Sequence, residues 1–121
     1  LFFLQDSIDS VSIVRKNDRK QITRNDNATY ESLVDSRVSK SDITIVNYPS
    51  DYIGQELVVH QGEEFMLVLK GNLEVNLGNL NHYNLKEGDS MVFSSKIPHS
   101  VSSKTGASVL IHSSTLPIAI I

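Results

Sequence analysis

Between Val11 and Ser113 the chain is cut every few residues by turn chemistry, and no helical periodicity survives between the cuts. Gly71-Asn72, Gly78-Asn79, Lys86-Glu87-Gly88 and Thr105-Gly106 are glycine-bearing separators of the kind that reverse a strand. The pieces between them are short and rich in β-branched and aromatic residues, which suit a pleated, half-buried surface. Strands are expected at 11–14, 20–23, 28–34, 43–47, 56–60, 64–70, 72–77, 81–85, 90–93, 99–102 and 107–113. The first two should form a hairpin about Asn17-Asp18, and Arg24-Asn25-Asp26-Asn27 is a second polar turn. The serine-rich stretch 35–42 reads as a loop, and Pro49-Ser50-Asp51 ends the strand before it. Short strands at this spacing, with no internal helix, predict an all-β sandwich or barrel.

A chain of 121 residues holds one domain with its own core. The net charge of -3 argues against a grip on nucleic-acid phosphates by this segment. Absence of cysteine removes disulfides, thiolate ligands and thiol nucleophiles, and fits a reducing, cytoplasmic setting. No apolar run approaches the roughly 20 residues of a membrane-spanning helix, so no membrane partner is expected. The start, Leu1-Phe2-Phe3-Leu4, lacks an initiator methionine and the features of a signal peptide. Residues 1–10 therefore read as a linker or the end of a helix from an upstream domain, and 11–121 as the domain itself. The apolar tail 116–121 is expected to pack as an edge strand or in an interface, and a homodimer is the expected assembly.

Chemistry concentrates in the stretch His60-Gln61-Gly62-Glu63-Glu64-Phe65-Met66-Leu67-Val68-Leu69-Lys70-Gly71. Side chains alternate along a strand, so Glu64, Met66 and Val68 share one face, and Phe65, Leu67 and Leu69 share the other. Both faces are apolar, as in a strand covered on two sides. One would line a barrel interior; the other needs a second sheet, the N-terminal strands or a partner subunit. His60 precedes Glu64 by four positions, and His99 follows Pro98 after the Gly88-Asp89 turn. Two imidazoles and a carboxylate suit zinc, iron, manganese or nickel. Each also has a plainer reading, as a strand cap, a surface charge or a turn residue. Burial of Glu64 with Met66 and Val68 would change that, because a buried carboxylate needs a partner. Glu63 and His82 read as surface residues, and His112 as structural. Tyr30, Met66, Val68, Met91 and Phe93 are the expected core.

The spacing of His60, Glu64 and Gly71 resembles the first conserved motif of the cupin superfamily, H-x-H-x3-E-x6-G. Gly88-Asp89 through Pro98-His99 resembles the second. The match runs from about Leu57 to Ser113 and implies a double-stranded β-helix, a small jelly-roll-like barrel with a central pocket. The wording of His60-Gln61-Gly62-Glu63-Glu64-Phe65 is most similar to the C-terminal cupin sensor domains of Xre-type helix-turn-helix transcriptional regulators. In the family's metal pattern, Val58 stands where the first histidine belongs, and Ser103 stands at the terminal asparagine. The resemblance thus leaves His60, Glu64 and His99 as the metal set, one ligand short, and makes the divalent metal optional.

Three functions follow. The preferred one is a small-molecule-sensing regulatory domain, with His60, Glu64, Met66, Val68, Phe93 and His99 around the ligand. DNA would be reached only through a missing N-terminal domain. The second is a stand-alone metal-dependent cupin enzyme of dioxygenase or isomerase type. In the third, the barrel has a purely structural or interaction role.

Overall fold

The computed structural model describes residues 10–54, 57–79 and 81–114. They form nine strands: β1 (Gln21–Thr23), β2 (Thr29–Ser32), β3 (Asp42–Tyr48), β4 (Tyr52–Ile53), β5 (Glu63–Leu77), β6 (Asn81–Lys86), β7 (Ser90–Ser94), β8 (His99–Ser103) and β9 (Ala107–Ser114). The helical content of the described residues is a single 3-10 turn, Lys16–Asp18. The architecture is an all-β jelly roll, the fold that the resemblance implies. Every strand pairing is antiparallel.

One sheet runs β1-β2-β3-β9-β5-β7, and the other runs β4-β8-β5-β6. The long strand β5 belongs to both. Its first half pairs with β7 and β9, and its second half, from Asn72, pairs with β6 and β8. Continuity of the strand explains why Gly71-Asn72 is not the hairpin expected from its chemistry. The ladder with β9 skips from Val68 to Lys70, leaving Leu69 as the extra residue of a β-bulge. One extra residue shifts the alternation by one, so Glu64, Met66 and Val68 are buried before it, and Leu73, Val75 and Leu77 after it. The interior face is thereby kept through the bend. Gly71 sits in this bend at φ 84°, and a Cβ there would lie 2.2 Å from the Gly106 carbonyl oxygen. No side chain fits that approach.

Two other expected strands are absent. Residues 11–14 form no strand, and the hairpin forms one unit later, between β1 and β2. Residues 57–60 carry only an isolated bridge, Val58 to His99. The physical reason is exposure: Leu57, Val58 and Val59 are 41%, 49% and 58% exposed, so their apolar pattern has no layer to pack against. The face of β5 bearing Phe65 and Leu67 is half-buried, and Leu69 is exposed, so the strand is fully covered on the interior side alone. The expected tail element at 116–121 and the linker at 1–9 lie outside the described residues.

The core joins the two sheets and comprises Ala28, Val46, Tyr48, Met66, Val68, Leu73, Val75, Leu77, Phe93, Ala107 and Val109. Tyr30 and Met91 pack against it half-buried. No described helix is long and apolar enough to cross a membrane.

Candidate metal centre

Glu64 lies second in β5, opposite Phe93 of β7 and Ser113 of β9, and it is 8% exposed. His99 opens β8 and is 4% exposed. His60 lies before β5 and is held by its backbone N–H, which donates to the Ser95 carbonyl at 2.9 Å. The fold thus carries three residues from separate segments to one end of the barrel, where their ligating atoms lie within 4.8 Å of one another.

Hydrogen bonding fixes which imidazole nitrogens are free. His99 Nδ1 is 2.7 Å from the Ile97 carbonyl oxygen, and His60 Nδ1 is 3.2 Å from that of Gln61. A carbonyl oxygen only accepts, so both Nδ1 atoms carry the proton and donate it. In the neutral imidazoles the Nε2 atoms then turn lone pairs toward Glu64, at 3.5 Å from Oε1 for His60 and 3.9 Å from Oε2 for His99. Two lone pairs facing a carboxylate repel it unless a cation, a proton or a metal ion, sits among them. Donors bound at about 2.0–2.2 Å around a divalent ion stand roughly 3–3.5 Å apart, so the set is slightly open for such an ion and needs only a small closure. The donor set therefore fits a metal. Carbonyl acceptors behind ligand imidazoles are the usual outer support of such sites.

The rest of the neighbourhood positions these three. Ser113 Oγ donates to Glu64 Oε1 at 3.0 Å. The rings of His60 and Phe93 both pack edge-on against His99, each with a centroid separation of 5.0 Å. Met66 lines the cavity beside the triad, while Val68 and Phe93 lie behind its wall in the core. Val58 stands at the cavity lip, tied to His99 by reciprocal backbone hydrogen bonds of 2.9 and 3.0 Å. Ser103 is committed elsewhere, donating to the Asn72 carbonyl at 2.6 Å. His82 is exposed and bonds the Asn76 side chain, and Glu63 is exposed. His112 faces away from Glu64 on the neighbouring position of β9, with its Nε2 buried and without a hydrogen-bond partner.

The triad opens into a cavity of about 690 Å³. Its deeper wall is apolar, with Val46, Met66 and Ile111, and tyrosines 30, 48 and 52 add a polar edge. Burial raises the pKa of all three phenols. For Tyr52, the hydrogen bond its hydroxyl donates to Asp26 Oδ2 at 2.8 Å adds to burial, and the pKa rises to about 12. Burial alone would lift Asp26, but bonds from the Ala28 N–H and the Tyr52 hydroxyl, with the charge of Arg24, hold it below the usual carboxylate value. Sequence reasoning missed Ser113, Arg24, Asp26 and Tyr52, because their nearness to the site depends on strand register.

The sequence model of the Cupin domain family matches residues 45–113. No curated protein sequence matches the chain. Among solved structures, Fe(II) HppE superposes with a TM-score of 0.75 at 22% identity, over 88% of this chain and 62% of that one. Hydroxypropylphosphonic acid epoxidase from S. wedmorenis gives 0.76 at 23% identity, over 88% and 60%. An RmlC-like cupin from Shewanella frigidimarina NCIMB 400 gives 0.75 at 14% identity, over 90% and 95%. The chain thus spans about three-fifths of the length of the first two, and the likeness at these identities is one of fold.

Proposed function

The chain belongs to the cupin family, and on that premise we propose that it binds a small molecule at a divalent metal held by His60, Glu64 and His99. The observation that carries this reading is the convergence of two imidazole nitrogens and a carboxylate on the lining of a cavity of ligand size. Two histidines and one carboxylate on one side of an ion leave open positions, the pattern of non-haem iron(II) sites. Iron(II) is accordingly the first metal to test, and the likeness to an iron(II) structure supports that choice. When bound, such an ion supplies Lewis acidity and a place for ligand oxygen atoms. The chain itself contributes orientation: Ile97 and Gln61 fix the imidazole tautomers, Ser113 fixes the carboxylate, and the Val46–Met66–Ile111 wall excludes water. The test is elemental analysis after anaerobic loading with iron(II), manganese(II) or zinc(II). One metal per chain is expected, falling to background in His60→Ala; equal metal content in the variant would overturn the site.

Within this reading the metal site serves either sensing or turnover. A sensing role, as the regulatory half of a bacterial-type transcriptional regulator, draws support from the motif wording around His60. It requires a helix-turn-helix segment encoded upstream in the same gene and two copies whose arrangement the ligand biases. A turnover role draws support from the open facial set of donors.

A further inference from the structure

At the mouth of the same cavity, on the turn between β1 and β2, stands a second recognition element. Arg24 Nη1 donates to the Tyr30 hydroxyl at 2.7 Å. That hydroxyl accepts from the guanidinium, so its own proton points elsewhere, and burial keeps it protonated by raising its pKa. Arg24 and Tyr30 both line the cavity. The pair therefore presents a charged N–H fork beside a neutral O–H donor; among the described residues no carboxylate lies within ion-pair distance of Arg24, although Asp26 is near enough to feel its charge. The neighbouring carboxylates are engaged. Asp26 accepts from the Ala28 N–H at 3.0 Å and from Tyr52 at 2.8 Å, and Asp42 accepts from Thr44 at 2.7 Å. Among the described lining residues Arg24 is the one side chain that carries a permanent positive charge.

We propose that Arg24 and the Tyr30 hydroxyl form an oxyanion subsite, so that the cavity takes a small molecule with a carboxylate or phosphonate group at the mouth. The apolar wall of Val46, Met66 and Ile111 would receive a short hydrocarbon body between that group and the triad. Guanidinium geometry suits bidentate recognition of such groups, and a charged donor makes the bond stronger than a neutral one. Asp26 tunes the subsite: its negative charge beside Arg24 weakens anion binding and so sets affinity without touching the ligand. The inference rests on the small-molecule reading of the cavity, not on its metal.

The test is an NMR titration of the full chain with propionate, methylphosphonate or inorganic phosphate at constant ionic strength. It follows the Arg24 Nε–H and Tyr30 ring signals, with metal content measured on the same samples. A saturable shift is expected for propionate, marking a carboxylate subsite, or for the two phosphorus oxyanions, marking a phosphonate one. Arg24→Gln should weaken the binding by more than about tenfold. Tyr30→Phe should weaken it less, and Asp26→Asn should tighten it. Chelator-treated, metal-free protein should give the same shift, which separates failure of this subsite from failure of the metal centre. Absence of a saturable shift with every probe, or equal affinity in wild type and Arg24→Gln, would overturn the proposal.

Discussion

Glu64 and Ser113 face each other across the β5–β9 ladder, and the serine hydroxyl holds one oxygen of the buried carboxylate at 3.0 Å. The same oxygen is the one nearest His60, at 3.5 Å. A hydroxyl on the last strand thus sets the rotation of the one carboxylate in the triad. Ser113→Ala is expected to lower metal affinity by about tenfold or more, as loss of an outer-shell partner does. Competition against a chromophoric chelator measures it. Unchanged affinity would show that the ladder alone orients Glu64.

The two histidines should separate binding from folding. His60 has a side-chain exposure of 41%, against 5% for His99. Both alanine variants should lose the metal. His60→Ala should otherwise melt close to the metal-free wild type. His99→Ala also loses the Ile97 hydrogen bond and the Phe93 contact, and should cost about 1–3 kcal/mol. Urea unfolding of metal-free protein compares them directly.

Gly71 and Gly78 both have positive φ, at 84° and 65°, yet their surroundings differ. A Cβ at Gly78 meets nothing within 4 Å, whereas at Gly71 it meets backbone atoms of Gly106 and Ala107. Gly78→Ala should cost about 1 kcal/mol, from the left-handed backbone alone. Gly71→Ala adds a clash that side-chain rotation cannot relieve, and should cost at least about 3 kcal/mol. Equal melting temperatures for the two variants would contradict this.

Tyr52 gives the fold an alkaline limit. Burial, then its bond to Asp26, push the phenol to about 12, above the roughly 10 of an unfolded tyrosine. The protonated form is favoured in the folded state, so its contribution is complete below the unfolded value and is lost as pH rises from there toward the folded one. The late alkaline rise in absorbance at the phenolate band, to which the raised Tyr30 and Tyr48 also contribute, should lose one tyrosine's amplitude in Tyr52→Phe. The variant should also show a shallower loss of stability across that alkaline window.

Much of this was legible in the residues because the β signal is local. Turn chemistry at Gly78-Asn79 marks a real reversal, between β5 and β6, whereas at Lys86-Glu87-Gly88 the chain only bends and β6 and β7 continue in one direction along β5; the spacing of His60, Glu64 and His99 marks the residues that the structure brings together. Where reading failed, the missing information was three-dimensional. Gly71-Asn72 carries hairpin chemistry, but a glycine serves a bulged bend equally well, and only the pairing of β5 with four other strands separates the two. The run at 57–60 looks like a strand, yet nothing covers its apolar side chains. Arg24 and Ser113 lie far along the chain from Glu64 and carry no motif. Their roles appear once β2, β3, β9 and β5 fall into register.

The position of β9 has a consequence for how the molecule forms. This strand, the last one described, lies between β3 and β5, pairing Asp42 with Ser113 on one side and Glu63 with Ser114 on the other. Until it arrives, the β1-β2-β3 segment has no ladder to the rest of the barrel, and the exposed strand edges of β3 and β5 wait unpaired. Closing such distant pairings is slow, because loop entropy is lost before contacts compensate for it. During synthesis residues up to 114 must therefore have left the ribosome before this sheet can close. A nascent chain stalled upstream of residue 107 should remain protease-sensitive in its first half, and release of the remaining residues should confer protection on both sheets at once.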